Sequence, residues 1–303
     1  MILLALLLGA PAEAGGGPWT LNAGEHNVYV GLDYFRYRNY RSDSFMEPLD
    51  TALTASGVTV VWTAGVAPGV ELELKLPYEN VRANDPSSET CMLDRPGDWC
   101  DTTSGLGDIG GVIKGRLIDE LYGNPFSWSL SGAFRSGEAY ADTRNRITTL
   151  GDGQSDVGLG TSIGRTDQAG KGWYTASAEA WYFYRLPNRR SPTGAKVPSD
   201  EVAFSAEGMW AFHQRFAVGP ALFGFFRTGG ISLDDIDYFD IDSWNTLRTS
   251  QIKVGVKAAT FSTGDGPTVV VTVLTTVFAR NNPSDTLALS FGVGWFFPKK
   301  SRS

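Results

Sequence analysis

Charged side chains recur at every second position in several segments that otherwise alternate apolar and polar residues. Glu71, Glu73 and Lys75 alternate with leucines between Val70 and Tyr78. Because successive side chains of a strand point to opposite faces, these charges share one face, opposite a continuous apolar one. Carboxylates and cations that oppose each other across a narrow lumen form a transverse field that selects small polar solutes. They can also pair with one another as a salt-bridged plug.

The same alternation assigns thirteen charged residues of both signs to the charged face. A charge that faces hydrocarbon is expensive, so in a membrane barrel the apolar face is outside and this face lines the lumen. Three of the carboxylates are expected where their strands begin on the extracellular side: Asp108, Asp156 and Glu201. The predicted lumen-lining and selectivity residues are Glu71, Glu73, Lys75, Asp108, Lys114, Arg116, Arg135, Asp156, Glu179, Glu201, Glu207, Lys253 and Lys257.

Twelve segments of period-two alternation are the elements that must position these charges. They are 26–37, 55–66, 70–80, 105–117, 125–136, 154–165, 173–185, 200–212, 216–227, 249–261, 267–279 and 286–297. Alternation predicts strands, and each segment is close to the ~9–11 residues that a tilted strand needs to cross a bilayer. The count is even, as expected when both ends of a single-chain barrel lie on one side.

The connections that follow even-numbered segments differ in length from those that follow odd-numbered segments. Short connections follow the second, fourth, sixth, eighth and tenth segments, whereas mostly long ones follow the odd-numbered segments. Short periplasmic turns and long extracellular loops are typical of outer-membrane barrels. The sequence therefore predicts an all-β fold, a twelve-stranded antiparallel up-and-down transmembrane β-barrel that forms a single domain over 15–303. Both termini are predicted to be periplasmic.

Composition excludes several other classes of protein. The 303 residues are 42% hydrophobic and 12% aromatic, with a formal net charge of −7. That charge argues against nucleic acid, which needs a basic face. Outside the first ten residues no apolar run approaches the ~18 residues of a membrane-spanning helix. Two aromatic clusters are expected in the interfacial girdles of a barrel: Tyr34, Phe35, Tyr37 and Tyr40, and the run from Trp181 to Tyr184.

The N-terminus carries the pattern of an export signal. The apolar run from Ile2 to Leu8 precedes Ala12-Glu13-Ala14, a small-x-small triplet. This predicts a signal peptide over 1–14, cleaved after Ala14. No Lys or Arg precedes the apolar run, so a buried apolar N-terminus is the alternative.

Cys91 and Cys100 are the two cysteines, and they flank a polar stretch rich in Asp, Ser and Pro. In an exported protein such a pair predicts a disulfide that pins a loop. Two cysteines without a nearby histidine do not make a zinc site.

An aspartate-rich stretch from Ile231 to Asn245 has two interpretations. A surface calcium site is one, because carboxylate oxygens suit hard cations; a solvated acidic loop bridged to lipopolysaccharide by divalent ions is the other. The spacing of a calcium loop is absent, which favours the second. The candidate ligands are Asp234, Asp235, Asp237, Asp240 and Asp242.

Catalysis is not expected, and neither is a cofactor. His26 opens the first segment and His213 lies in a short turn, so both belong to the periplasmic rim. Neither can serve a serine nucleophile at the extracellular rim. A catalytic site that uses carboxylates alone, Asp108 and Asp156, is a minor alternative.

Gly105-Leu106-Gly107-Asp108 followed by Lys114 and Arg116-Leu117 resembles the Gly-Leu-Gly-Asp strand of the outer-membrane "MetA-pathway of phenol degradation" family of transporters. Gly151–Gly160 is similar to that family's second Gly/Asp strand, and Val70–Tyr78 to a third. Gly115 stands where the family usually carries tyrosine. The resemblance implies a membrane-spanning barrel with a transport role, in which phenol is not the inferred substrate.

Two functional hypotheses follow. The first is a passive channel for small solutes, including aromatic or hydrophobic ones, across the outer membrane of a Gram-negative bacterium. The second is a closed barrel that anchors an envelope complex, with its loops and the basic tail Lys299-Lys300-Ser301-Arg302 as contact sites. Lipid and lipopolysaccharide are expected partners in both.

Overall fold

The computed structural model describes residues 17–41, 46–84, 102–136, 155–169, 172–186, 200–213, 215–229, 248–260 and 266–299. The regular elements in these ranges are thirteen strands and a short 3-10 helix. The helix is Glu120–Tyr122. The strands are β1 His26–Arg41, β2 Met46–Ala67, β3 Val70–Asn84, β4 Thr102–Leu106, β5 Ile109–Ile118, β6 Ser127–Ser136, β7 Asp156–Ala169, β8 Gly172–Arg185, β9 Glu201–His213, β10 Phe216–Arg227, β11 Ser250–Thr260, β12 Thr268–Arg280 and β13 Asn282–Phe297.

The strands pair antiparallel with their neighbours in chain order and close on themselves. Closure is made by β1 and β13, paired from His26 opposite Phe297 to Arg41 opposite Asn282; we call this pairing the seam. Because β4 and β5 both pair with β3, they act as one interrupted strand. The prediction of a twelve-stranded antiparallel barrel is confirmed, and each predicted segment overlaps an observed strand.

The interruption of the fourth predicted segment has a cause in β3. Lys75 lies opposite Gly110 and Tyr78 opposite Leu106, so one extra residue is inserted in the β4–β5 strand. Gly107 donates its N–H to the Pro77 carbonyl at 3.0 Å. Proline has no N–H to return that hydrogen bond, and a missing ladder bond favours a bulge. The continuous strand predicted over 105–117 is therefore wrong at Gly107-Asp108.

The outer face of the barrel is apolar along its strands. Leu32, Ile113, Leu159 and Val256 all point outward and are exposed, Leu159 to 72%. A water-soluble protein rarely carries so continuous an apolar surface, whereas a lipid-facing band requires one. Within the described ranges, no helix is long and apolar enough to cross a membrane.

The prediction that both aromatic clusters lie in the interfacial girdles is wrong for the rings that point inward. Phe35, Tyr37 and Phe183 are buried inside the barrel, and Trp181 shares their inner face. Consecutive strand residues alternate between faces, so a run of neighbouring aromatics divides between lipid and lumen. The outward rings of the two clusters are Tyr34, Tyr182 and Tyr184; the side chain of Tyr40 lies outside the described residues.

The two ends of the barrel differ in their connections. We call the end with the connections Ala67–Val70, Ile118–Ser127 and His213–Phe216 the turn end, and the opposite end the loop end. Cys91, Cys100, residues 1–14 and the five candidate calcium ligands all fall outside the described residues.

Candidate channel lumen

The lumen holds all thirteen charged residues predicted for it. Twelve share the inward parity of their strands, and Asp108 lies in the break between β4 and β5, beside Glu79. Asp156 and Glu201 open β7 and β9 at the loop end, as expected. Asp108 does not open its strand, because β4 begins six residues earlier at Thr102. Their role in selecting a solute stays a prediction.

Near the turn end, one buried ion pair organises the lumen. Lys114 on β5 and Glu71 on β3 lie 3.0 Å apart, Nζ to Oε1. Each also binds the chain that precedes β1. Lys114 Nζ donates to the Gly17 carbonyl at 3.3 Å, and the Leu21 N–H donates to Glu71 Oε2 at 2.9 Å.

That preceding chain, residues 17–25, lies across the turn end of the lumen, and we call it the N-terminal segment. Trp19 donates its indole N–H at 3.0 Å to Oε1 of Glu120, the first residue of the 3-10 helix. At the other end of the segment, Gly24 donates to the Gly65 carbonyl at 2.8 Å. These contacts connect the segment to β2, β3, β5 and the β5–β6 turn, so it narrows the lumen from within.

Two glycines of the barrel wall make room for the N-terminal segment. A Cβ on Gly65 would lie 2.1 Å from the Asn22 carbonyl oxygen. A Cβ on Gly164 would lie 2.9 Å from Pro18 and from the Trp19 ring. A residue larger than glycine at either position would clash with the segment unless the segment moved. The wall therefore accommodates the segment because these two residues are glycines.

Toward the loop end, three arginines and two carboxylates interleave on five consecutive strands. Arg185 Nε lies 3.0 Å from Asp156 Oδ1, and Arg227 Nε lies 3.7 Å from Glu201 Oε2. Arg135 Nη1 lies 3.6 Å from Glu201 and 3.9 Å from Asp156. Counted over these five residues alone, this set, which we call the arginine cluster, has one more positive charge than negative charges.

The facing part of the wall is acidic. Asp33 on β1 and Glu79 on β3 are buried, and Asp108 lies close to Glu79. Lys75 is the nearby cation and interacts electrostatically with Asp33, Glu73 and Glu79. In the order of the twelve strands, β1 is six places from β8 and β3 is six places from β10. An acidic arc therefore faces an arc with excess positive charge.

Sequence reasoning missed four of these charges, and it also missed the N-terminal segment. The missed charges share the inward parity of recognised neighbours: Asp33, Glu79, Arg185 and Arg227. Applying the alternation to every charged strand residue would have found them. The N-terminal segment has no periodic signal, because its position depends on distant partners.

Cations in the lumen lie over aromatic rings. The Arg135 guanidinium carbon is 3.6 Å from the centre of the Phe183 ring. Lys253 Nζ is 4.7 Å from the centre of Phe35 and 6.0 Å from that of Tyr37. A cation over a ring face is attracted by the ring quadrupole. The inward aromatics that were expected at interfaces thus support the lumen charges.

A cavity of about 30 Å³ lies between the N-terminal segment and the charged walls. That volume holds about two water molecules. Gly17, Ser177, Glu179 and Phe223 contribute to its wall. The Lys257–Glu207 ion pair, 2.5 Å from Nζ to Oε2, also lines it. Trp181 donates its indole N–H to the Glu179 carboxylate, so the carboxylates here are largely engaged and the path is narrow.

Two observations in the described part of the chain bear on metal binding and catalysis. No group of three or more His, Cys, Asp or Glu residues is arranged there to hold a metal ion. His26 stacks on Trp62 with ring centres 5.9 Å apart, and His213 ends β9. Both histidines therefore lie at the turn end, away from Asp108 and Asp156.

Comparison with solved structures identifies the fold. The crystal structure of the COG4313 outer membrane channel from Pseudomonas putida F1 matches 94% of this chain and 100% of its own, with a TM-score of 0.73 and 14% identity. This chain has the fold of an outer-membrane channel.

More distant matches are the beta domain of the Bordetella autotransporter Brka and the NanC porin. The first has a TM-score of 0.48 and 12% identity and covers 90% of this chain and 99% of its own. The second has a TM-score of 0.45 and 9% identity and covers 89% and 99%. No protein-family model matches the sequence, and neither does any curated protein. The family resemblance drawn from the glycine-rich strands therefore stays a prediction.

Proposed function

We propose that the protein is a passive channel for small solutes in the outer membrane of a Gram-negative bacterium. The observation that carries this proposal is the opposition of an acidic arc, with Asp33 and Glu79, to the arginine cluster across the lumen. Buried ion pairs are seldom more stable than well-packed apolar side chains of similar volume. A barrel that served only as a scaffold would gain nothing from them, whereas a solute path would use their field.

The substrates that we propose are small solutes, including aromatic or hydrophobic ones, and the protein is a transporter rather than an enzyme. The resemblance to the "MetA-pathway of phenol degradation" transporters supports this, as do the aromatic rings on the inner wall. In this proposal the turn end is periplasmic with both termini, and the loop end contacts the medium and lipopolysaccharide. The aspartates from Asp234 to Asp242 belong to that surface, as a solvated loop or a calcium site.

Reconstitution tests the channel directly. Purified protein in planar bilayers is expected to give discrete conductance steps in potassium chloride. Proteoliposomes are expected to swell in small sugars and amino acids faster than protein-free vesicles. Heat-denatured protein is the control for detergent leakage. The absence of both steps and swelling would exclude the channel.

A closed barrel that anchors an envelope complex is the second candidate, because the N-terminal segment lies across the lumen and the cavity beside it holds about two water molecules. Its contact sites would be the long loops and the basic tail that starts at Lys299. Cross-linking of envelopes followed by mass spectrometry would recover a defined partner in this case. A barrel that neither conducts nor cross-links would contradict both candidates.

Export and the disulfide form a separate prediction. Cleavage after Ala14 leaves Gly15 as the first residue of the mature protein, and Cys91 and Cys100 are expected to be joined. The intact mass of the purified protein should match 15–303 less two hydrogen atoms, which oxidation of the two thiols removes. Alkylation should add label only after reduction. A retained Met1, or two alkylations without reductant, would contradict the respective part.

A further inference from the structure

A single row of residues runs across five adjacent strands of the inner wall. Lys75 lies opposite Gly110, Gly110 opposite Arg135, Arg135 opposite Asp156, and Asp156 opposite Arg185. Neighbouring strands are about 4.8 Å apart, so Lys75 and Arg135 are separated by about 10 Å of backbone. Gly110 has no side chain, and a Cβ there would be in ordinary contact with the Lys75 Cβ and the Phe134 carbonyl oxygen, both at 3.8 Å. The row therefore has a place without a side chain between two cations.

Arg135 is the member of the arginine cluster that faces this place. Its side chain is 30% exposed, whereas those of Arg185 and Arg227 are almost fully buried. Its Nη1 is 3.6 Å from Glu201 and 3.9 Å from Asp156, beyond the 3.2 Å limit of a normal N–H···O hydrogen bond. Both carboxylates also face another guanidinium. Arg135 thus retains hydrogen-bonding capacity in an accessible position.

An aromatic ring lies beneath Arg135, with the centre of Phe183 3.6 Å from the guanidinium carbon. Phe183 is buried and stacks on Trp181 with ring centres 5.5 Å apart. Gly158 lies opposite Phe183 on β7, and a Cβ there would be 2.5 Å from the ring. A glycine therefore lets the ring lie flat against the wall. A guanidinium stacked on one face presents its N–H edge as a planar fork that matches a carboxylate.

The charges around the row limit what this fork can bind. Among the described residues of the arginine cluster, cations outnumber carboxylates by one, which favours a monoanion. On the far side of Gly110, Lys75 is close to Asp33, Glu73 and Glu79, and their negative charge confines an anion to the Arg135 side. The inner wall beside Arg135 carries the stacked rings of Phe183 and Trp181. The complementary solute is thus a small monoanion with an apolar body.

We propose that Arg135, with Gly110 as the floor of the site and Lys75 opposite, binds the carboxylate of small aromatic or apolar organic acids in the lumen. This inference rests on the proposed channel function and names the substrate class of that channel. The bound carboxylate accepts two hydrogen bonds from the guanidinium fork, and the apolar body of the acid lies along the aromatic wall.

Binding is tested apart from transport. Protein in lipid nanodiscs is titrated with sodium benzoate by isothermal titration calorimetry, and with benzamide as the neutral isostere. Wild-type protein is expected to bind benzoate and to bind benzamide at least tenfold more weakly. Arg135→Gln should weaken benzoate binding at least tenfold. Arg135→Lys keeps the charge and loses the fork, so its affinity should be intermediate.

The matched control removes an arginine outside the lumen. Arg165 lies near the turn end of β7 with 52% of its side chain exposed, paired with Asp167. Arg165→Gln should leave benzoate binding unchanged. Equal binding of benzoate to wild type and Arg135→Gln, or equal binding of benzoate and benzamide, would overturn the inference. A wild-type protein that conducts ions but binds no benzoate contradicts this site alone, whereas one that binds benzoate without conducting contradicts only the channel.

Discussion

Deleting residues 17–22 is expected to raise the single-channel conductance several-fold. The deletion removes Gly17, Trp19 and Leu21, through which the N-terminal segment contacts Lys114, Glu120 and Glu71. It keeps Gly24 and Glu25, whose backbone bonds to Gly65 fix the start of β1. The wall itself is unchanged, so the pore widens while the barrel stays folded.

Planar-bilayer recording at fixed salt measures this effect. Trp19→Ala is the graded control, because it removes the bond to Glu120 and leaves the rest of the segment in place; its conductance should fall between those of wild type and the deletion. A deletion variant that folds but conducts like the wild type would show that the segment does not limit the pore.

Replacing Lys114 with methionine is expected to cost about 3–5 kcal/mol of unfolding free energy, the usual effect of leaving a buried charge without its partner. Glu71 is 3% exposed and Lys114 is 10% exposed in their pair. The substitution leaves the Glu71 carboxylate with the Leu21 N–H but without its ammonium. It also removes the donor to the Gly17 carbonyl, so the N-terminal segment loosens as well.

Urea unfolding in lipid vesicles, followed by tryptophan fluorescence, measures the loss. The double variant Glu71→Gln with Lys114→Met should recover most of it, because residue 71 then carries no charge that needs an ammonium partner. The exposed pair Arg165–Asp167 is the control, 2.6 Å from Nη2 to Oδ2; its removal should leave unfolding nearly unchanged, since water screens such pairs. If the single and double variants are equally unstable, the ion pair is not the cause.

Much of the wall could be predicted from the sequence, because a strand repeats every two residues and a membrane barrel separates its faces by polarity. Glu71, Glu73 and Lys75 could be placed in the lumen from their spacing alone. Strand ends were predicted to within a few residues in most cases. The apolar alternation stops where the chain leaves the bilayer, and this limits the error.

Spacing along one strand says nothing of its neighbours' register. The pairing of Arg185 with Asp156, or of Lys114 with Glu71, depends on how strands are offset. The bulge at Gly107 arises from Pro77 on another strand. The N-terminal segment is held by Glu71 and Glu120, far away in sequence. Interactions of this kind are non-local and leave no periodic trace.

The seam also determines when the barrel can finish folding. It joins His26 to Phe297, nearly the whole chain apart. Such a contact has the largest entropic cost of loop closure and forms slowly, because its two strands are far apart in the sequence. A chain that still lacks β13 exposes two strand edges, at β1 and β12, whose peptide groups lipid cannot satisfy. Assembly is therefore all-or-none, and it completes only when the last strand has been delivered to the membrane.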